Sequence, residues 1–516
     1  MDATQQRGSS DVSLRTLFPT ARLINAADIL VSRCTTNPLQ CSPGDVLVAG
    51  MDELPADESA ARGIAGGIKA VVTEQLLPVP LPQCIVPDAR VAFAQLTSEL
   101  AGNPSQQTLS IGVAGVHGKT STALLIATVL RHAGLRVAYH CDLGCSDGVV
   151  QSVPKTSLTD AREITQWYAE ANDAGCQACV IELSESLLRN HAVDGTSFDM
   201  IVIPDDCDHA TLPQAQGTSV YSEALSRLNR QGVAIVNSRN ETACRAAEAA
   251  GVTCVTFGTC DQADIVGQIV ERNLGETTYV LRIGDVTSGV RTRLTGDWMV
   301  NHQLAAAATA MLLDFPQQAI VKGLQSLEKI PGRMQRVGSF TGPQVVIDDA
   351  ATPAQIMATM NALRKELPRG GKLSCVVACG PEHRPELAAN IGYIAERCSD
   401  QLVITSDVHG SKDFLSHVHD MLDGLVRPEG PPLIANRETA ITWAIQKAKP
   451  SDMVVIFSGY ASQSPHARRS LNQSDFNFVV EALKQIETPQ RQPDCEAVIL
   501  PHPTLLKMRS KDYIAD

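Results

Sequence analysis

The stretch GVAGVHGKTSTALL, from Gly112 to Leu125, constrains the fold of this 516-residue chain more than any other. A β-type run starts at Leu109 and ends at the first glycines, and a helix-type run starts near Lys119. A strand, a glycine turn and a helix in this order gather backbone N–H groups and the positive end of a helix dipole around one point. The stretch therefore predicts an anion site in an α/β fold.

The spacing G-x-x-G-x-x-G-K-T indicates which anion is bound. Lys119 is placed to reach the β- and γ-phosphates of a nucleotide, and the Thr120 hydroxyl is placed to coordinate Mg²⁺. Val113 stands where the usual phosphate-loop consensus has its first glycine. The alternative is a glycine turn that only joins strand to helix, but strand, loop, Lys-Thr pair and helix agree. We predict ATP and Mg²⁺ as cofactors, with the phosphates contacted by Gly115, Val116, His117, Gly118, Lys119, Thr120 and Ser121.

Apolar runs separated by turns and helix-length stretches divide the chain into three α/β domains, at residues 1–109, 110–331 and 332–486. In the central domain, strands that alternate with helices predict a parallel sheet covered on both faces. Between about residues 263 and 294, alternating residues with glycine breaks predict antiparallel hairpins appended to that sheet. The C-terminal domain is expected to be Rossmann-like, and residues 487–516 to be an irregular extension.

Charge and composition exclude several classes of partner. A net charge of −13 argues against nucleic acid and against an anionic membrane surface, because both need a basic face. No uncharged apolar run approaches the roughly 20 residues of a membrane span, and the first thirty residues lack a secretory signal pattern. The fifteen cysteines fall mostly in apolar runs, which predicts buried thiols in a reducing compartment. We expect a cytoplasmic monomer.

Beyond the loop, the chain resembles the Mur ligases, which use ATP to join amino acids to a UDP-sugar peptide. The resemblance covers residues 15 to 485 and is strongest to members that add the third residue of the peptidoglycan stem. Six stretches carry it in a shared order and spacing. They are SPGDVLVAG from residue 42, KTSLTD from 155, IELSESLLRNHAVDGTSFD from 181, DHATL from 208, PGRMQRV from 331 and DDAATP from 348.

The resemblance implies a reaction and a set of site residues. ATP would phosphorylate a substrate carboxylate, and an amine would attack the acyl phosphate, so that the protein positions groups and neutralises charge. Lys119, Glu182 and His209 would be catalytic. Glu182 would bind the Mg²⁺ shared by the phosphates and His209 a second Mg²⁺, although a glutamate at a strand end is often only a salt-bridge partner. Arg333 and Asp348 would contact the nucleotide, and the substrate would be held by Thr156, Ser157, Ser184, Asn190 and Arg384.

Departures from the family pattern concentrate in the acceptor half of the site. The family's carbamylated lysine is Leu225 here, and the adenine-side motifs become NSRN, 237–240, and WMVNH, 298–302. The amino-acid motifs become DVHG, 407–410, and GYASQ, 459–463, which leaves the added amino acid open. Leu225 either faces the cleft, where a lysine would restore a ligand for the second metal, or packs on a helical face.

Three functions follow from this pattern. The first is a divergent ligase that adds an amino acid to a UDP-N-acetylmuramoyl-dipeptide in peptidoglycan precursor synthesis. The second is a catalytically impaired homologue that binds nucleotide or UDP-sugar peptide as a scaffold or regulator. The third is another ATP-dependent amide ligase on the same fold, such as one adding glutamates to folate, against which the KTSLTD stretch argues.

Overall fold

The chain forms two compact units in the computed structural model, residues 1–266 with 301–323, and residues 267–300 with 324–516. Within them the structure describes residues 11–51, 54–152, 158–206, 214–273, 275–338, 342–379, 385–406, 414–427, 429–458 and 465–487.

The N-terminal part of the first unit is a small α/β layer. Four neighbouring strands, β4, β5, β6 and β7, pair in parallel, and β2 closes the edge antiparallel to β7. A core of aliphatic residues and Phe93 packs between this sheet and α3. The elements are β1 (Val12–Ser13), α1 (Leu14–Leu17), β2 (Arg22–Ile24), β3 (Leu30–Val31), β4 (Cys34–Thr35), β5 (Val46–Val48), α2 (Ala56–Ala65), β6 (Ala70–Thr73), β7 (Gln83–Ile85) and α3 (Ala89–Leu100).

A larger sheet lies mainly in the rest of the first unit, and one of its strands (Ile265–Asn273) and two of its helices (Asp297–Met311 and Gln317–Ser326) run past the unit boundaries. Its strands are β8 (Leu109–Val113), β9 (Val137–Cys141), β10 (Gly144–Ser146), β11 (Gln151–Ser152), β12 (Ala178–Glu182), β13 (Phe198–Ile203), β14 (Leu228–Asn237), β15 (Thr253–Gly258) and β16 (Ile265–Asn273). Its helices are α4 (Lys119–His132), α5 (Ala161–Asp173), α6 (Glu185–Arg189), α7 (Gln214–Leu225), α8 (Glu241–Ala250), α9 (Asp297–Met311) and α10 (Gln317–Ser326).

The strand order of this sheet positions the site. β8 lies between β12 and β13, and all three run parallel, so their carboxyl ends meet at one edge. β9 pairs in parallel with β12 on its other side. The three central strands are buried almost throughout, which matches their nearly continuous apolar sequences. Polar residues that follow these strands are therefore brought together at the same edge.

The second unit holds a hairpin and a separate sheet. β17 (Glu276–Ile283) pairs antiparallel with β18 (Val286–Thr292). The separate sheet has the order β19, β20, β24, β21, β22, β23, parallel except for β19. These strands are β19 (Gln335–Val337), β20 (Gln344–Asp348), β21 (Leu373–Cys379), β22 (Gln401–Ser406), β23 (Leu433–Ile434) and β24 (Met453–Phe457). The helices are α11 (Pro353–Glu366), α12 (Pro385–Cys398), α13 (Phe414–Leu422), α14 (Arg437–Lys447) and α15 (Pro465–Glu487).

Both faces of this separate sheet are covered. Along β24, Val455 and Phe457 join the core under α11, α12 and α13, whereas Val454 and Ile456 join the core under α14 and α15. This alternation follows from the two-residue period of a strand. A buried ion pair ties the second layer together, because the Arg437 guanidinium donates to both carboxylate oxygens of Asp475, at 2.6 and 2.7 Å.

These sheets confirm the fold class predicted from the sequence, an α/β protein with parallel-rich sheets and an appended antiparallel hairpin. The predicted burial of the cysteines is wrong for Cys254 and Cys260, which are exposed. Cys254 lies at the exposed beginning of β15, where apolar neighbours in sequence do not imply a covered face. None of the described helices is both long and apolar enough to cross a membrane. The domain boundaries stay a prediction.

Candidate nucleotide-binding site

The loop between β8 and α4 has the backbone that its glycines predict. Gly115 and Gly118 have φ values of +127° and +77°, in the left-handed region that side chains disfavour. A Cβ on Gly118 would lie 2.2 Å from Nε2 of His302, and a Cβ on Gly115 would lie 2.5 Å from Oδ2 of Asp205. Both positions therefore need glycine for the backbone conformation and for the close approach of a neighbouring side chain.

Lys119 and Thr120 begin α4 at the end of this loop. The Lys119 ammonium donates to the carbonyl oxygens of Gly115 at 3.0 Å and Val116 at 3.3 Å, so its charge lies over the loop. The Thr120 hydroxyl donates to Oε2 of Glu182 at 2.9 Å. Glu182 is the last residue of β12, and the parallel pairing of β12 with β8 explains this contact. The loop and the strand-end carboxylate thus form one site.

Glu182 is a buried carboxylate, with 7% of its surface exposed. Burial raises its pKa, the nearby Asp142 carboxylate raises it further, and the Lys119 ammonium opposes both effects. The Asp142 backbone N–H also donates to Oε2 of Glu182 at 3.0 Å. A buried carboxylate whose charged form is disfavoured gains most from a nearby cation.

The donor set at this point fits a hard divalent cation. Mg²⁺ prefers oxygen ligands and usually takes one or two from protein, with phosphate oxygens and water completing the shell. Thr120 and Glu182 supply a hydroxyl and a carboxylate next to the loop. Across the described parts of the chain, no cluster of three or more His, Cys, Asp or Glu side chains could hold a metal. A cation held here would therefore depend on the nucleotide for further ligands.

Asp205 is a site residue that the sequence analysis did not single out. It follows β13, on the other side of β8 from Glu182, and only 3% of its surface is exposed. The backbone N–H groups of Val116 and His117 donate to its two carboxylate oxygens, at 2.8 and 2.6 Å. The Tyr221 hydroxyl also donates to Oδ2, at 2.9 Å. Burial raises the pKa of Asp205, while these loop N–H groups and the Lys119 charge lower it.

The sequence analysis did not identify Asp205 and Asp142 because the strand order of the sheet was not known. Their positions after strands were a usable signal. Each follows a buried strand of the structure, Asp142 directly after β9 and Asp205 two residues after β13. The rule that carboxyl ends of parallel strands meet at one edge would have identified both, once the strand order was known. His302 was noted only as a departure from the family pattern, and its contact with Gly118 is a product of the tertiary fold.

Two of the predicted substrate residues lie at the ends of the short helix α6. Ser184 caps its amino end, where its hydroxyl accepts the Leu187 N–H at 3.2 Å. Asn190 is exposed at the carboxyl end and donates to the Ser186 hydroxyl at 3.2 Å. Because Ser184 follows Glu182 by two residues, it lies at the same sheet edge as the loop. The predicted residues Thr156, Ser157, His209 and Arg384 lie outside the described residues.

Leu225 resolves the alternative left open by the sequence. It is 1% exposed and belongs to the core that α5 to α8 form against the sheet, with Phe198, Ile201 and Val236. Of the two alternatives, the structure shows the packed helical face. The physical reason is that the carboxyl end of α7 packs with its apolar face on the strands.

Arg333 and Asp348 lie in the second unit. The Arg333 guanidinium forms an ion pair with Asp349. The buried Asp348 carboxylate accepts the N–H groups of Met334 at 2.8 Å and Ala350 at 3.1 Å, and the Thr359 hydroxyl at 3.2 Å. In this structure the Asp348 carboxylate therefore holds the loop before β19 to the end of β20.

A separate cleft of about 490 Å³ lies between the N-terminal layer and α5. Ser32, Arg33, Thr97 and Arg162 are among its lining residues, and Arg33 is paired there with Asp45. The cleft contains none of the described residues that the sequence assigned to nucleotide or substrate. The geometry at the loop, not this cleft, defines the candidate site.

The strand, loop, helix and strand-end carboxylate together define a phosphate-loop protein of the α/β class. Two family models match the chain, the Mur ligase middle domain over residues 113–310 and the Mur ligase glutamate ligase domain over residues 332–459. A UDP-N-acetylmuramoyl-L-alanyl-D-glutamate--2,6-diaminopimelate ligase from Xylella fastidiosa strain Temecula1 is 31% identical over 470 residues, 86% of this chain and 92% of the relative. The chain belongs to the Mur ligase family of ATP-dependent ligases, which confirms the resemblance found in the sequence.

Solved structures show the same fold. A UDP-N-acetylmuramoyl-L-alanyl-D-glutamate--2,6-diaminopimelate ligase aligns with a TM-score of 0.64 and 20% identity, over 90% of this chain and 99% of that one. The MurF ligase of Thermotoga maritima in complex with ADP aligns with a TM-score of 0.56 and 16% identity, over 87% and 98%. Each of the two solved structures therefore shares its fold with this chain over most of the length of this chain and nearly all of its own.

Proposed function

We propose that this protein is an ATP-dependent ligase that adds an amino acid to a UDP-N-acetylmuramoyl-dipeptide in peptidoglycan precursor synthesis. The contact between Thr120 and Glu182 beside the phosphate loop carries this proposal, because it joins a phosphate site to a cation site. Membership of the Mur ligase family supports the reaction, and the relatives' substrate supports the UDP-sugar peptide. The protein would act as a cytoplasmic monomer without a nucleic-acid or membrane partner.

The nucleotide half of the site would act through charge. The loop N–H groups and the Lys119 ammonium bind the phosphates, and Thr120 with Glu182 would hold Mg²⁺. When bound, Mg²⁺ neutralises charge on the phosphates and so favours transfer of the γ-phosphoryl group. Glu182 also orients the Thr120 hydroxyl through the hydrogen bond between them. We also assign nucleotide contacts to Arg333 and Asp348.

The acceptor half would then form the amide bond. The γ-phosphoryl group passes to the substrate carboxylate, the amine attacks the resulting acyl phosphate, and inorganic phosphate leaves. We assign the sugar peptide to Ser184 and Asn190 at α6, together with Thr156, Ser157 and Arg384. His209 would bind a second Mg²⁺ near the acyl phosphate. Leu225 gives that ion no ligand, because its side chain is a hydrocarbon and lies in the core.

The test is an ATP-hydrolysis assay with UDP-N-acetylmuramoyl-L-alanyl-D-glutamate and a panel of amines, with the products identified by mass. One amine should support ADP formation and yield a product heavier by that amine minus water. The Lys119→Ala variant serves as the inactive control. Tight nucleotide binding without turnover for any amine would instead leave a binding protein.

A further inference from the structure

The Asp205 carboxylate occupies the inner side of the phosphate loop. One of its oxygens accepts the Val116 N–H at 2.8 Å and the other accepts the His117 N–H at 2.6 Å. Successive backbone N–H groups that converge in this way form a concave anion-binding site. The same loop amides are the ones that a nucleotide phosphate would need. An acidic side chain of the protein itself therefore holds two of the phosphate donors.

Several further contacts hold the Asp205 carboxylate in this position. Oδ2 takes a second hydrogen bond from the Tyr221 hydroxyl, and the Asn240 side-chain amide donates in turn to that hydroxyl at 3.1 Å. Gly115 makes room for this carboxylate, because a Cβ at that position would lie 2.5 Å from Oδ2. The Lys119 ammonium lies close enough to act on the carboxylate charge. The carboxylate thus has the donors and the cation that a bound anion would have.

We propose that Asp205 is an internal occupant of the phosphate loop, and that nucleotide phosphate binds by displacing its carboxylate from Val116 and His117. This inference rests on the proposed function, because it assumes that the loop binds nucleotide phosphate. Without this displacement, a phosphate and the Asp205 carboxylate would share one buried site. Repulsion between two negative charges in contact there would weaken nucleotide binding by about tenfold or more. Asp205 therefore lowers the nucleotide affinity of this ligase.

Displacement also has a consequence beyond the loop. Tyr221 lies on α7 and Asn240 caps the amino end of α8, so the chain of hydrogen bonds from the loop runs through Asp205 to both helices. Once the carboxylate leaves the loop, the bond from Tyr221 to its present position is lost. Displacement therefore breaks a contact that links the loop to α7 and α8.

The decisive variant is Asp205→Asn, which keeps the size of the side chain and removes its charge. Calorimetric titration with ADP and, separately, with inorganic pyrophosphate, both with Mg²⁺, should give dissociation constants about tenfold lower than wild type. Adenosine, which has no phosphate, should bind equally to both proteins. Tyr221→Phe should tighten ADP binding by a smaller factor, because the carboxylate loses one of its three donors.

Asp199→Asn is the matched control. Asp199 lies at the other end of β13, where its carboxylate accepts the Ser110 N–H at 2.8 Å and the Asn229 amide at 2.7 Å. The variant removes the same kind of charge and also disturbs a backbone N–H bond, but that bond is to Ser110 at the start of β8, far from the loop. Its ADP affinity should equal that of wild type, which separates a local effect from a change in net charge.

Weaker or unchanged ADP binding by Asp205→Asn would overturn the inference, since Asp205 would then support the loop without competing for it. If that variant does not fold, Tyr221→Phe decides, and unchanged or weaker binding overturns the inference in the same way. Lys119→Ala tests the proposed function separately. If it binds ADP as tightly as wild type, the nucleotide site itself lies elsewhere, whereas loss of binding there with no gain in Asp205→Asn rejects only the displacement.

Discussion

Replacing Leu225 by lysine restores the residue type of the family but places an amine in the core. The native side chain is 1% exposed and packs among apolar residues. Burial of this kind lowers the pKa of a lysine by about 3 to 5 units. Each pKa unit of this shift that lies above the pH of the solution costs about 1.4 kcal/mol of folding free energy. At pH 7 the total is about 4 to 5 kcal/mol. That loss is a large part of the 5–15 kcal/mol typical of a domain.

Urea unfolding of Leu225→Lys against Leu225→Met measures this cost. Methionine conserves the volume and the apolar character, so its own effect should stay below about 1.5 kcal/mol. The sign of the pH dependence is also fixed. The lowered pKa means that the unfolded chain binds more protons than the native one between the two pKa values, so the stability of Leu225→Lys rises with pH. Most of the deficit relative to Leu225→Met should disappear by about pH 10.

Two results together would refute this reasoning. The first is a free energy of unfolding for Leu225→Lys within about 1 kcal/mol of Leu225→Met at pH 7, with no recovery at higher pH. The second is a ligase rate for Leu225→Lys that rises when bicarbonate is added. Both would require the lysine to leave the core and reach the site, which the packing of α7 does not allow.

Other variants probe the loop, the cation site and the second unit. Lys119→Ala should abolish ADP binding in a titration while leaving the protein folded, because among the described residues the hydrogen bonds of this ammonium go to the loop carbonyls of Gly115 and Val116. Glu182→Gln should make ADP affinity independent of Mg²⁺ without lowering the unfolding free energy at pH 7. The pKa of Glu182 is raised in the native state, so the wild-type protein loses folding free energy as the pH rises through that pKa. Glutamine does not ionise, so the variant does not suffer this loss. Asp475→Asn should cost about 3–5 kcal/mol in urea unfolding, since it leaves the buried Arg437 charge uncompensated. The exposed pair broken by Lys484→Ala in the same helix should cost under about 1 kcal/mol.

The sequence by itself determined those features whose physical cause is local. The phosphate loop is one, because the left-handed turns at Gly115 and Gly118 and the helix start at Lys119 depend on residues adjacent in the chain. The alternation of strands and helices is another. A strand that is buried on both faces has a nearly continuous apolar sequence, which can be recognised in each strand separately. The position of Glu182 at a strand end also followed from its own strand. The shared order of the family motifs then gave the ligase family.

Only the tertiary structure decided which side chains meet at the sheet edge. Asp205 lies 88 residues from His117 in sequence, and the order of β12, β8 and β13 brings its carboxylate onto the loop. Strand order is a property of the whole sheet, and no single stretch encodes it. The same holds for Leu225. From the sequence alone, a leucine at this position of the motif could face the cleft or pack in the core. Its burial depends on how α7 packs against strands that are distant in sequence, so the fold, and not the motif, determined its role.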